Sequence, residues 1–182
     1  MVQRQVNVLL RPAVASDRRQ VYDWLARSDV TPSMMGSPDY PDHPIPSWVE
    51  FCADYPPHYF DDSQPQSGRC FIVVAEGQNV GVVCYNAIKD EGRLTELDIW
   101  LRAEAYCGKR YGTNALEALC ADLHEKYGVQ EFIVRPSGRN RRAIAAYEKA
   151  GFELLPLSPA ERRQRFGEGD CEDAVVLLKR LG

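Results

Sequence analysis

Several features that would assign a chain to a particular class are missing from this sequence. No stretch approaches the roughly 18 consecutive apolar residues of a membrane-spanning helix. The first residues carry no apolar core of the kind found in signal peptides. The six cysteines form no C-x-x-C pair and show no zinc-ligand spacing. We therefore expect no membrane span, no metal site and mostly reduced thiols in a cytoplasmic protein.

An excess of positive charge is also missing. The formal net charge is −4 and the isoelectric point is about 5.4, so the chain has no general attraction for nucleic acid or anionic lipid. Its 182 residues, 45% of them hydrophobic, suit one domain with one sizeable core. We expect a single domain over residues 1–182 that acts as a monomer or homodimer.

Residues 28–68 contain no lysine or arginine but seven acids and six aromatic residues. Because this segment carries −7, the rest of the chain sums to +3. A solvated, proline-stiffened surface loop with a short helix near Trp48 would explain the composition. A substrate-side wall that attracts a polycation would explain it equally well. In the second case, the residues expected to contact the substrate are Asp39, Asp42, Trp48 and Tyr59.

The hydrophobic patterns predict an α/β domain with one mixed central sheet flanked by helices. We expect a helix that begins near Ser16 or Asp17, and further helices over 111–127, ending at Gly128, and over 140–149, ending at Gly151. Strands are expected over 6–10, 70–76, 80–88, 96–101, 131–134, 152–155 and 174–178.

The stretch CGKRYGTNAL, 107–116, lies between a predicted strand and a predicted helix. Its glycines, Gly108 and Gly112, allow close backbone approach, and the first turn of a helix offers unpaired N–H groups to an anion. Lys109 and Arg110 add positive charge there. The spacings of the Walker A loop and of the Rossmann G-x-G-x-x-G motif are absent. Taken alone, this stretch could equally be a structural turn.

Two further patterns carry candidate chemistry. In NRRAIAAYEKAGF, 140–152, Asn140 and Tyr147 share a helix face with Ile144. By spacing alone, this tyrosine would be a core residue. Glu96 and Asp98 alternate along a strand, so both side chains point to the same side. They are either a solvent-facing pair or an ammonium-binding pair that accepts a proton from an amine.

Together, residues 94–116 and 135–152 resemble the Gcn5-related N-acetyltransferase (GNAT) superfamily. The family motif N-x-R-A-I-x-x-Y-E-K-x-G-F stands nearly complete over 140–152. The glycine loop departs from the family pattern at Cys107, where Arg or Gln is usual, and at Arg110, where Gly is frequent. The resemblance implies a GNAT-like fold and acetyl-CoA as cosubstrate, with no metal.

The same resemblance implies roles for individual residues. Tyr147 would protonate the departing thiolate, and Asp98 or Glu96 would accept the amine's proton, with Asp98 preferred. The β-strand would offer an N–H to the thioester oxygen, Gly108 to Gly112 would hold the pyrophosphate, and Asn140 would bind the pantetheine arm. The full set expected at the cofactor is Ile99, Trp100, Leu101, Cys107, Gly108, Lys109, Arg110, Tyr111, Gly112, Thr113, Asn140, Ala143 and Tyr147.

The block VYDWLARSDVTPSMMG, 21–36, is similar to the corresponding part of aminoglycoside 6′-N-acetyltransferases and RimJ/RimL-type protein N-terminal acetyltransferases. Aminoglycosides and polyamines are polycations, which agrees with the acidic segment. We therefore expect acetyl transfer to a primary amine of a small polycationic acceptor, with direct attack on the thioester. The alternatives are a protein N-terminal acetyltransferase and a non-catalytic acyl-CoA-binding module.

Overall fold

The computed structural model describes residues 7–35, 45–89, 91–167 and 173–182. Seven strands and six α-helices are defined in these ranges. The strands are β1 (Val8–Pro12), β2 (Gly68–Ala75), β3 (Gln78–Asn86), β4 (Leu94–Leu101), β5 (Glu131–Val134), β6 (Glu153–Leu154) and β7 (Leu177–Arg180). The helices are α1 (Arg18–Arg27), α2 (Thr31–Met35), α3 (Trp48–Asp54), α4 (Tyr111–Tyr127), α5 (Arg141–Lys149) and α6 (Pro159–Phe166).

The strands form one sheet in the order β1-β2-β3-β4-β5-β7-β6. All neighbours run antiparallel except β4 and β5, which are parallel. Helices cover both faces. On one face, Leu97 and Phe132 pack in a cluster with Leu119 of α4. On the other, Trp100 packs with Phe51 of α3 and with residues of α1. The predicted mixed central sheet flanked by helices is confirmed.

A gap opens between β4 and β5, and it positions the candidate site. The two strands pair only from Leu94 to Glu96, opposite 131–133, whereas β4 continues along β3 as far as Leu101. The Arg102 N–H donates to the Val80 carbonyl on β3. Since N–H directions alternate along a strand, the N–H groups of Ile99 and Leu101 point away from β3, into the gap.

The helix boundaries follow local sequence signals. The α4 helix occupies the predicted range and is followed by Gly128, whose φ of +71° suits glycine. The predicted helix over 140–149 is confirmed as α5, which Asn140 caps: its side-chain oxygen accepts the Ala143 N–H at 3.1 Å. Helix α6 was not predicted. Its signal was present, because Ser158 and Glu161 form a capping box around Pro159.

The last strand begins three residues later than predicted. The sequence pattern placed it over 174–178, but β7 runs from Leu177 to Arg180. Before it, single backbone bonds replace the ladder: the Val175 N–H donates to the Pro136 carbonyl, and the Leu155 N–H donates to the Val176 carbonyl. The predicted strand over 152–155 is likewise reduced to the two residues of β6.

Candidate active site

A cleft of about 250 Å³ lies where the gap beside β4 meets the start of α4 and one face of α5. It brings together twelve of the thirteen residues expected at a cofactor: Ile99, Trp100, Leu101, Cys107, Gly108, Arg110, Tyr111, Gly112, Thr113, Asn140, Ala143 and Tyr147. Lys109 is the exception. It is not among the residues that line the cleft, and its ammonium lies 5.8 Å from the ring centroid of Tyr106.

The start of α4 forms the polar end of the cleft. The N–H groups of the first helical turn, which includes Gly112 and Thr113, have no acceptor within a helix and carry the positive end of its dipole. A Cβ built on Gly108 would meet nothing within 4 Å, so the loop leaves open space there. Arg110 precedes the helix with φ +66°, the conformation for which glycine is favoured. These residues fit a pyrophosphate group.

Donors along β4 are not equivalent. Ile99 and Leu101 line the cleft and direct their N–H groups into the gap. Trp100 also lines the cleft, but the strand's alternation turns its backbone N–H toward β3. Its indole N–H donates to the Val21 carbonyl at 3.1 Å, inside the core.

Tyr147 projects from α5 into the cleft, half-buried beside Phe152, with 6.2 Å between the ring centroids. Burial, followed by the negative charge of Asp98, raises its pKa above the ordinary value. The phenol is therefore protonated at neutral pH and can donate a proton. Asn140 also lines the cleft. Because its oxygen caps α5, its NH₂ group is the end that remains to donate.

Asp98 lies on the face of the sheet that α1 and α3 cover. Its Oδ2 accepts a hydrogen bond from the Asn86 side-chain amide at 3.2 Å, and the Tyr55 hydroxyl lies 3.5 Å from the same oxygen. Sequence patterns did not single out Asn86 or Tyr55 as neighbours of Asp98. They are 12 and 43 residues away in the chain, and no local spacing connects them.

Glu96 is engaged by an arginine that sequence reasoning missed. Arg135, directly after β5, donates to both carboxylate oxygens of Glu96, at 2.6 and 2.8 Å. Both side chains are largely buried, with 14% of Arg135 and 17% of Glu96 exposed. Glu96 and Asp98 lie on one face of β4, and the described ion pair with Arg135 belongs to Glu96. The charge of Glu96 is compensated within the protein.

The expected substrate contacts occupy different environments. Trp48 packs its ring against the chain's own cations, with the guanidinium of Arg19 at 4.9 Å and that of Arg18 at 5.8 Å from its centroid. Tyr59 is only 6% exposed, and its hydroxyl donates to Asn86 Oδ1 at 2.8 Å. Tyr59 therefore serves as an internal contact in this structure. Asp39 and Asp42 lie outside the described residues.

One ion pair ties three walls of the cleft together. Arg142 on α5 contacts both oxygens of Glu104, at 2.5 and 2.8 Å, and the Ser33 hydroxyl of α2 at 3.1 Å. Arg142 and Ser33 both line the cleft.

In the ranges that the structure describes, no cluster of His, Cys, Asp and Glu side chains could hold a metal ion, and no helix is long and apolar enough to cross a membrane.

Comparison with known proteins agrees with this geometry. Residues 7–153 match the family model described as Acetyltransferase (GNAT) domain. A search among curated proteins finds no match. Among solved structures, the aminoglycoside acetyltransferase AAC(6′)-Ib in complex with coenzyme A has 23% identity and a TM-score of 0.71, with 96% of this chain and 95% of that chain covered.

Two other solved structures are similar. Spermidine N-acetyltransferase from Vibrio cholerae, in complex with CoA and spermine, has 19% identity and a TM-score of 0.67, with 95% of each chain covered. RimL, a ribosomal L7/L12 α-N-protein acetyltransferase in complex with CoA, has 17% identity and a TM-score of 0.70, with 97% of this chain and 95% of that chain covered. At these identities the likeness establishes a shared fold.

Proposed function

The chain belongs to the GNAT acetyltransferase family, and from that premise we propose that it transfers the acetyl group of acetyl-CoA to a primary amine of a small polycationic acceptor. The observation that carries the proposal is the cleft itself. It joins the first turn of α4, the β4 donors and Tyr147 in one cavity, with Asp98 close enough to influence the pKa of Tyr147.

Each wall of the cleft has one task in this proposal. Acetyl-CoA supplies the activated acetyl group and a thiolate leaving group. The first-turn N–H groups of α4 hold its pyrophosphate, and the side-chain amide of Asn140 binds the pantetheine arm. The N–H groups of Ile99 and Leu101 face the thioester, where one of them stabilises negative charge that develops on the carbonyl oxygen.

Two residues carry out the proton transfers of the reaction. The acceptor's ammonium gives a proton to Asp98, directly or through a water, and the neutral amine forms the new C–N bond as the C–S bond breaks. Tyr147, whose buried phenol is protonated at neutral pH, protonates the departing sulfur, and the nitrogen returns its surplus proton to the Tyr147 phenolate as the amide forms. We assign the base to Asp98 because Arg135 compensates the charge of Glu96. No step requires Cys107, which lies in the phosphate loop.

The acceptor class is supported by charge and by relatives. Residues 28–68 carry −7, and the described part places Tyr55 beside Asp98. Two proteins of the same fold are named for action on polycationic amines, the aminoglycoside acetyltransferase AAC(6′)-Ib and spermidine N-acetyltransferase. RimL favours the second candidate, a protein N-terminal acetyltransferase. A non-catalytic acyl-CoA-binding module is the third.

A thiol-release assay with acetyl-CoA separates these functions. The panel contains aminoglycosides, polyamines, amino acids and short basic peptides. We expect release with polycationic amines and a KM for the amine that rises with added salt, because exposed charge attraction is screened. Release with peptides alone would establish the second candidate. Binding of acetyl-CoA without thiol release on any amine would overturn the proposal in favour of the third.

A further inference from the structure

We propose that Asn86 is a positioning residue for Asp98, and that the hydroxyl of Tyr59 holds Asn86 in the orientation this role requires. The role of Asp98 as the proton acceptor rests on the proposed function. The arrangement itself rests on contacts among three separate elements: the 3₁₀ turn that contains Tyr59, the end of β3 and the middle of β4.

The two ends of the Asn86 amide have different partners. Its oxygen accepts the Tyr59 hydroxyl at 2.8 Å, and its NH₂ group donates to Asp98 Oδ2 at 3.2 Å. The ionised carboxylate of Asp98 can only accept hydrogen bonds, so the NH₂ end of the amide must face it. The oxygen end then faces Tyr59, whose hydroxyl donates to it. The main chain of Asn86 is also held, because its carbonyl accepts the Thr95 hydroxyl at 2.8 Å.

Tyr59 is itself fixed in place. It is 6% exposed and packs edge-on against Tyr55 at 5.4 Å between centroids. Its ring also lies against Gly68, where a Cβ would come within 2.4 Å of Tyr59 Cζ. Burial raises the pKa of Tyr59, so the hydroxyl remains a donor throughout the neutral range.

Several other groups act on the Asp98 carboxylate. The Tyr55 hydroxyl lies 3.5 Å away, farther than the Asn86 amide. Cys84 is the cross-strand neighbour of Asp98 on β3, and burial raises the pKa of its thiol well above the ordinary value. Among the residues that the structure describes, other charged or titratable groups near it include Glu96 with its partner Arg135, Tyr59 on the 3₁₀ turn and Tyr147 on α5.

This contact predicts the direction in which the pKa of Asp98 changes when the hydrogen bond from Asn86 is lost. A hydrogen bond donated to a carboxylate favours its charged form. Removing the donor therefore raises the pKa of Asp98, and the base is then available only at higher pH. Asn86→Ala should move the acidic limb of kcat/KM upward by about one pH unit. Tyr59→Phe should move it in the same direction by less, because the amide remains but can rotate.

The test compares wild type with four variants. Asn86→Ala removes the donor, Asn86→Asp replaces it by a carboxylate of the same shape, and Tyr59→Phe removes the hydroxyl that orients it. Tyr85→Phe is the matched control, since it also deletes a hydroxyl, but one on the opposite face of β3 that donates to the Pro65 carbonyl. Asp98 is titrated directly by carboxyl ¹³C NMR, and kcat/KM is measured against pH with the best amine of the panel.

We expect the Asp98 titration to shift upward in the order Tyr59→Phe, Asn86→Ala, Asn86→Asp, with Tyr85→Phe unchanged. Unchanged Asp98 titration in the first three variants, or an equal shift in Tyr85→Phe, would overturn the inference. If Asn86→Ala does not fold, the Asp98 titrations of the isosteric Asn86→Asp variant and of Tyr59→Phe test the inference. A shifted titration in a protein that acetylates no amine would refute the proposed function and still support this arrangement.

Discussion

Gly68→Ala should strongly destabilise the protein through Tyr59. The added Cβ would lie 2.4 Å from Cζ and 2.5 Å from the hydroxyl oxygen of that ring, distances at which one group must move. Forced overpacking of a core costs about 1–3 kcal/mol. The φ of +126° at this position adds backbone strain of about 1–3 kcal/mol for any residue with a Cβ. We expect the free energy of unfolding to fall by about 4 kcal/mol.

Gly77→Ala is the control for strain without a clash. Its φ is +75°, and a Cβ there would meet nothing within 4 Å, so the loss should be about 1 kcal/mol. Urea unfolding of both variants measures the difference. Equal losses would refute the argument that Tyr59 is tightly held against Gly68. The acidic limb of kcat/KM should also move upward in Gly68→Ala, since a displaced Tyr59 cannot orient Asn86.

Three further predictions concern the rest of the site. Tyr147→Phe should lower turnover about 100-fold and leave the Kd for acetyl-CoA nearly unchanged in a binding titration; full turnover would remove Tyr147 from the mechanism. Glu96→Gln removes the carboxylate that pairs with the largely buried guanidinium of Arg135, so urea unfolding should show a loss of about 3 kcal/mol. An unchanged value would mean that the pair does not stabilise the fold. Burial raises the pKa values of Tyr59, Tyr85 and Tyr147, so as pH rises above about 10 the tyrosines of the unfolded chain ionise first and stability should fall. Constant stability up to pH 11 would contradict these shifts.

Local sequence rules predicted most of the fold because its elements carry local signals. The α4 helix has its apolar stripe and Gly128, and the hairpin of β2 and β3 has a turn between two apolar runs. The prediction missed α6, although its capping box was visible, because its apolar content is low: α6 contains no buried residue. The start of β7 was predicted too early because the apolar run begins before the strand. Val175 and Val176 belong to that run, but they form backbone hydrogen bonds with loop residues instead of with a neighbouring strand.

The candidate site was only partly predictable. Asn140 and Tyr147 come from one helix, and the glycine loop adjoins another, so each has a short-range pattern. The partner of Glu96 lies 39 residues away, and no spacing rule brings Arg135 to it. A surface for a cation was one of the two interpretations of the acidic segment; in its described part, Tyr59 is buried and two arginines of α1 lie over the ring of Trp48.

By itself the sequence determined which residues can do chemistry: an acid pair on a strand, a glycine loop before a helix, and a tyrosine on the next helix. These follow from periodicities of 2 and 3.6 residues, which are local properties of the backbone. Only the tertiary structure decided which acid is compensated, which β4 amides face the gap, and that Tyr59 supports Asp98 through Asn86. Those outcomes depend on contacts between distant segments, which form only when the sheet and its helices pack together.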